Sequence, residues 1–478
     1  MTNHDLNSSL QGVQLKGGQT ASEAFHHVLK SAIEAFPVPF SGLDFPDNAA
    51  QFRNRYATLI PEFESARLSS AERTEIAHHL AEEIQAEFIF QEGKKIQPLT
   101  SYLRGDFSPL PLVTKGPNSK DFWRPKFTYR NQDWTALDEL AEELLGRDVI
   151  TDYAATALKT VHEKITKIGP INLSQRKIVV LGANAEMAST NNFLEAGADL
   201  LWLDKVAPSN DVVMSPARSG RLTWNKEADL LSQPGEILAT IIAFAANEPV
   251  DLCLYAYAPG QARELKLTVA MNTIINLLPL SLVRSVTLLL SPTTATPLQG
   301  SDLNIMRRRT LESATWETLL TRARLLTKGP QQDNFAVSST VVNIQGTSYQ
   351  AAQYLGKLIT AESWASSGQI GKEIPEPIRV SANTAAITRT RSMNHPIFAA
   401  AFEGAPAFRI ETFTADQSSC LNGLLTIYDW LNPEPTTPGL IRVHGGIHTL
   451  PYTLESALRI AAAIGVARSP RLLLRLLP

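Results

Sequence analysis

Residues 177–182, KIVVLG, constrain the fold of this chain more than any other segment. Four consecutive apolar residues closed by a glycine show neither a helical nor an alternating period. Such a run reads as a strand buried on both faces, which is the situation inside a parallel sheet. Beyond it the pattern alternates. A helix is followed by DLLWLD (199–204), a loop to Glu227-Ala228-Asp229, a helix at ILATIIAFAA (237–246), the strand VDLCLYAYA (250–258), another helix and SVTLLLS (285–291). Repeated strand and helix units predict an α/β fold with a doubly wound parallel sheet and ligands at the carboxyl ends of its strands.

Ahead of this region the chain reads differently. Residues 1–20 are polar and without period, as in a mobile tail. From 21 to about 90 apolar residues recur at helical spacing, and in SSAERTEIAHHLAEEIQAEFIF the pair Ser69 or Ser70 with Glu72 looks like a helix start. Prolines at 98, 109, 111, 117 and 125 interrupt the pattern until two amphipathic helices, WTALDELAEELLGRD and ITDYAATALKTVHEKITKI. The expected organisation is a tail over 1–20, a mainly helical extension over 21–170 and an α/β domain over 171–478, with a helical insertion at about 301–334. A chain of 478 residues that is 44% apolar can bury one large core and a smaller one. The helices of the extension also suit a homodimer contact.

With 44 basic and 47 acidic residues, the net charge of −3 offers no general attraction to nucleic acid or to an anionic membrane. A small-molecule partner is favoured. No run of about 18 apolar residues occurs, and the start MTNHDLNSSLQG has no export pattern. The only two cysteines are Cys253 and Cys420, a usage that fits the reducing cytoplasm.

A nucleotide diphosphate needs a tight turn after the first strand, so that backbone N–H groups can approach it. The segment in that place is Gly182-Ala183-Asn184-Ala185-Glu186-Met187-Ala188. It resembles the T-G-x-x-x-G-x-G turn of the short-chain dehydrogenase/reductase superfamily, with Gly182 kept and Glu186 and Ala188 at the other glycine positions. A carboxylate there repels a diphosphate unless it points away or is neutralised. Asp204, 22 residues after Gly182, stands where an acidic side chain binds the adenosine ribose and disfavours a 2′-phosphate, which favours NAD over NADP. The resemblance continues in order through Asp229-Leu230, VDLCLYAYAPG with Ala256, SVTLLLS ending at Ser291, and IRVSANTAAITRT (378–390). In this last segment Thr390 stands at the threonine that contacts the nicotinamide carboxamide. It is nearest to the enoyl-carrier-protein reductase branch, and it implies a Rossmann-type sheet.

The resemblance also implies a tyrosine acting as general acid and a lysine that lowers the phenol pKa and holds the ribose. Tyr354, three residues before Lys357 and roughly 60° from it round a helix, is the preferred candidate, and Tyr349, eight before and roughly 80° away, stays as the alternative because enoyl reductases of the superfamily space the pair more widely. Ser291 would polarise the substrate oxygen. The function expected on these grounds is an NAD- or NADP-dependent oxidoreductase acting on a carbonyl or enoyl group, which by analogy could belong to an acyl thioester. Two rival readings stay open: a catalytically inactive dinucleotide-binding scaffold, and a transferase that uses another nucleotide such as S-adenosylmethionine. His444 and His448 in RVHGGIHTLPY are four apart, but the two glycines between them make a loop and no acidic or cysteine partner is near, so no metal is expected. Arg307-Arg308-Arg309 suits either a solvated helix face or the phosphate of a coenzyme A or carrier-protein substrate.

Overall fold

The run at 177–181 lies in the middle of the largest sheet of the computed structural model, which describes residues 11–330, 336–367, 378–393, 396–432 and 437–471. Strands β1 (Gly12–Leu15), β2 (Phe88–Glu92) and β3 (Lys95–Pro98) form a small antiparallel sheet. Next come β4 (Val113–Lys115) and the hairpin of β5 (Phe127–Tyr129) with β6 (Gln132–Trp134). The remaining strands are β7 (Lys177–Leu181), β8 (Asp199–Leu203), β9 (Arg221–Trp224), β10 (Val250–Leu254), β11 (Val283–Leu290) and β12 (Arg379–Thr384). Seven of the twelve make one sheet in the order β12-β11-β10-β7-β8-β9-β4. All its pairs are parallel except β4 with β9. The protein is therefore α/β with a mostly parallel sheet. Because the chain runs outward from β7 to β9 and then returns to β10, the connections leaving the carboxyl ends of these two adjacent strands diverge to opposite faces of the sheet, which opens a crevice there.

Alternate residues of β7 enter two different cores, as a strand of period two requires. Val179 and Leu181 pack with Phe25, Phe52, Phe63 and Leu80, whereas Ile178 and Val180 pack with Leu140, Leu158, Phe193 and Trp430. Helices Ala21–Ala35, Ala49–Ser69 and Arg73–Ala86 thus complete one core, and Leu137–Gly146 with Asp152–Ile168 complete the other. Helices Gly300–Leu311 and Thr315–Arg322 lie between β11 and β12. No helix among the described residues is long and apolar enough to cross a membrane.

Three expectations change. Residues 1–10 of the expected tail lie outside the described residues, but Gly12–Leu15 is a strand with Val13 and Leu15 buried, tied by the Val13 N–H to the Leu231 carbonyl at 2.8 Å. Its four-residue alternation is too short to stand out from a polar sequence. Ser69 ends one helix rather than starting the next; Ser70 instead accepts the N–H of Glu72 just before Arg73–Ala86. Asp229-Leu230 lies beyond β9, which stops at Trp224, and the Leu230 side chain is in the core, so it does not close strand three.

Helix Thr347–Lys357 runs into a π-helical stretch, Leu358–Trp364. Together they carry three polar side chains into the N-terminal helices. Glu64, fully buried, accepts the Tyr354 hydroxyl (2.7 Å), the Lys357 ammonium (2.6 Å) and the Arg67 Nε–H (2.9 Å). Arg67 also donates to Glu362 at 2.8 Å, Arg73 does so at 3.0 Å, and Lys357 reaches the Ala295 carbonyl at 2.7 Å. Burial opposes the charge on Glu64, but Arg67 and Lys357 outweigh it and hold the carboxyl down at about 2. Removing one member of such a cluster leaves its partner charged and dry, at a cost of about 3–5 kcal/mol. Lys357→Met is therefore expected to lower the unfolding free energy by about that much, read from urea midpoints. The stability that Glu64 contributes is complete above its ordinary value of 4.5 and is lost as pH falls through about 2, so the difference between wild type and Glu64→Gln should shrink in that window.

Candidate active site

A cavity of about 780 Å³ opens where the strand order reverses. Its walls are the turn after β7, the chain just beyond β10, β11 and β12, and one face of helix Thr347–Lys357. Gly182 begins the turn after β7. With φ +86° it occupies the left-handed region, and a Cβ there would stand 2.2 Å from the Ala256 nitrogen. The turn is thereby pressed against the end of β10, and Asn184, Ala185, Glu186, Met187 and Ala256 all line the cavity. Ala183 is buried and its carbonyl accepts the Thr190 hydroxyl at 2.9 Å. The helix after the turn starts only at Thr190 and has 6 residues, so it stands further from Gly182 than the fingerprint leads one to expect.

Asp204 follows β8 directly and is half-buried, with its two carboxylate oxygens accepting the N–H groups of Asn184 (3.0 Å) and Val206 (2.9 Å). Burial raises its pKa, the backbone donors oppose that, and the nearby Asp229 adds to it. Asp229 is itself paired with Lys205 at 3.0 Å. These acids adjoin the turn but stand outside the main cavity.

On helix Thr347–Lys357, Tyr349, Ala352, Gln353 and Gly356 line the cavity. Their spacing of i, i+3, i+4 and i+7 is one helix face. Tyr354 is five residues from Tyr349, roughly 140° round the helix, and so faces the N-terminal helices with Lys357. Neither Tyr354 nor Lys357 reaches the cavity, because both are spent on Glu64. Ser291 does reach it: its hydroxyl is 2.7 Å from that of Thr293, and its N–H donates to the Gln353 side chain at 2.7 Å. The Tyr349 phenol lies near the Ser291 and Thr293 hydroxyls, while its ring stands edge-on to Tyr257, 6.0 Å between centroids. Burial drives the Tyr349 phenol well above its ordinary value, with the nearby Ser291 and Thr293 hydroxyls pulling the other way. Among the described residues, no lysine lines this cavity.

Thr390 lines the mouth, and Arg391 beside it meets Glu186. The Arg391 N–H donates to one carboxylate oxygen at 3.0 Å and its Nε stands 3.3 Å from the other, which neutralises the carboxylate of the turn. The far end of the cavity, not foreseen in the sequence, is apolar. Helices Pro396–Gly404 and Leu454–Arg468 cross so closely there that a Cβ on Gly404 would stand 1.8 Å from the Ala461 carbonyl oxygen. Ala401, Ala405, Ala457 and Ala461 line this arm together with Phe398 and Phe408. Alanines at helical spacing mark the close crossing, but nothing in them announces a cavity.

His444 and His448 are buried away from the cavity lining, and burial lowers their pKa values to about 3 and about 4. Among the described residues no three His, Cys, Asp or Glu side chains are grouped to hold a metal. Arg309 anchors their loop by donating to the Gly446 carbonyl (2.7 Å) and Thr449 (2.9 Å), and Arg308 is paired with Asp148.

The molecule is thus an α/β protein with a cavity at the carboxyl ends of parallel strands, polar at one end and apolar at the other. No family model matches the chain, and no curated protein matches it. Gly182→Ala should destabilise the protein by more than about 2 kcal/mol, since the added methyl meets backbone and the conformation disfavours any side chain; thermal unfolding measures it.

Proposed function

We propose that the protein is an NAD(P)-dependent oxidoreductase of short-chain dehydrogenase/reductase type, built on a doubly wound Rossmann-type sheet. One observation carries the reading. Ser291 and Tyr349, a hydroxyl and a phenol, line the same cavity as the turn that begins at Gly182, at the point where the strand order reverses. The strand order also supports it, because β9-β8-β7-β10-β11-β12 follows the usual dinucleotide-binding order.

In this reading Asn184–Met187 and Ala256 lie along the nucleotide, Asp204 accepts from the adenosine ribose, and Thr390 meets the carboxamide. Asp204 favours NAD, since a 2′-phosphate beside a carboxylate is repelled. The bound nicotinamide supplies or takes the hydride. Ser291 donates to the substrate oxygen, and Tyr349 gives the proton that balances the hydride arriving at carbon. Thr293, bonded to both Ser291 and the Gln345 side chain, holds the Ser291 hydroxyl in place. Lys357 has no part in this, so the phenol works without an ammonium neighbour.

The apolar arm supports a substrate with an aliphatic chain, such as an acyl thioester carrying a keto or enoyl group. Cys253 and Cys420, both buried and unpaired, fit a reducing cytoplasm. A second reading, an inactive nucleotide-binding scaffold, is favoured by the lysine-free cavity.

Titration with NADH and NADPH, followed by nicotinamide fluorescence and thermal stabilisation, separates the two nucleotides. Saturable micromolar binding is expected, tighter for NADH, and the absence of both would remove the oxidoreductase reading. With enoyl and ketoacyl thioesters as substrates, Tyr349→Phe should cut turnover by roughly 10²- to 10⁴-fold with little change in Tm. Tyr354→Phe should lower Tm while sparing turnover; equal turnover losses would contradict the assignment. Ala457→Phe should shorten the longest acyl chain accepted.

A further inference from the structure

Three ionised residues line the described part of the cavity: Glu186, Glu264 and Arg391. Arg391 is the only cation among them. A dinucleotide brings two negative charges in its diphosphate, and a cavity whose own lining sums to −1 opposes that unless a cation is aimed at it. Glu264 is already engaged at the other wall by the Gly260 N–H (3.1 Å) and the Ser348 hydroxyl (2.9 Å). Glu186 lies in the turn along which the diphosphate would pass, and it holds Arg391 through one N–H bond and one ion pair.

We propose that Arg391 is the diphosphate ligand of this site, and that Glu186 is an internal anion that keeps Arg391 at the turn until the nucleotide takes it over. This rests on the dinucleotide reading above and adds to it. The Arg391 side chain is 89% exposed, and an ion pair so open to water is weakly held. A diphosphate offers more oxygens and twice the charge, and a guanidinium can bind it through two parallel N–H bonds. Glu186 therefore has two opposing effects. It places Arg391, and it also competes with the ligand.

The opposition makes the test distinctive. NADH affinity is measured by nicotinamide fluorescence for wild type, Arg391→Gln, Arg391→Lys and Glu186→Gln, with thermal unfolding as the check that each variant is folded. Arg391→Gln is expected to raise Kd by about tenfold or more, and Arg391→Lys to restore part of the loss. Glu186→Gln is expected to lower Kd by roughly threefold or more, since it frees the cation and removes a repulsion. The wild-type affinity should also fall with salt more steeply than that of Arg391→Gln. If wild type binds NADH and both neutral variants bind it equally well, or shift in the same direction, the role of Arg391 is overturned and the dinucleotide site stands. If wild type binds neither NADH nor NADPH, the dinucleotide reading fails and takes this inference with it.

Discussion

The buried carboxylate of Glu64 decides how helix Thr347–Lys357 is rolled. A helix carrying Tyr349, Tyr354 and Lys357 could in principle turn any of them toward the crevice. Once Tyr354 and Lys357 are bound to Glu64, and Glu362 to Arg67 and Arg73, only the face with Tyr349 and Gln353 is left to meet Ser291. Desolvation makes this arrangement exacting, since a misrolled helix would leave at least one full charge unpaired in an apolar core. The charges set orientation, and the apolar contacts around Phe25, Phe63 and Leu355 supply the bulk of the cohesion.

A second constraint sits across the crevice. Gly182 lets the turn after β7 lie against Ala256 with no side chain between them, which brings the ends of β7 and β10 to the same wall. Polar groups then gather at that wall because strand ends and turns deliver them, while the far arm is made by two helices whose small residues permit a close crossing. The cavity is polar at one end and apolar at the other for separate reasons, one topological and one steric.

Much of the sheet was legible because strands buried on both faces must be continuously apolar, and KIVVL, DLLWL, VDLCL and SVTLLL announce themselves by that alone. Short edge strands escape, as β1 and β4 did, since three or four residues carry too little pattern. In the site, Ser291, Tyr349, Glu186 and Thr390 line one cavity, whereas Tyr354 and Lys357 are not in its lining. Helical spacing pointed to Tyr354, but the deciding partner, Glu64, lies 290 residues earlier and turns Tyr354 away from the cavity. Glu64 and Arg67, three apart on the same face of helix Ala49–Ser69 as Ile60, Phe63 and Leu68, were the available signal. Its meaning depends on knowing what the helix packs against.

That long reach bears on how the chain acquires its shape. During synthesis Glu64 and Arg67 leave the ribosome long before Lys357 and Glu362 exist, so the N-terminal helices cannot close their charged seam on their own. β4, likewise, has to wait for β9 before its edge is paired. Contacts of such high sequence separation must pay loop-closure entropy before they return any energy, and they make folding slow. The early helices therefore act as half of an unfinished seal, and the face that presents Tyr349 to the crevice is among the last parts of the molecule to be settled.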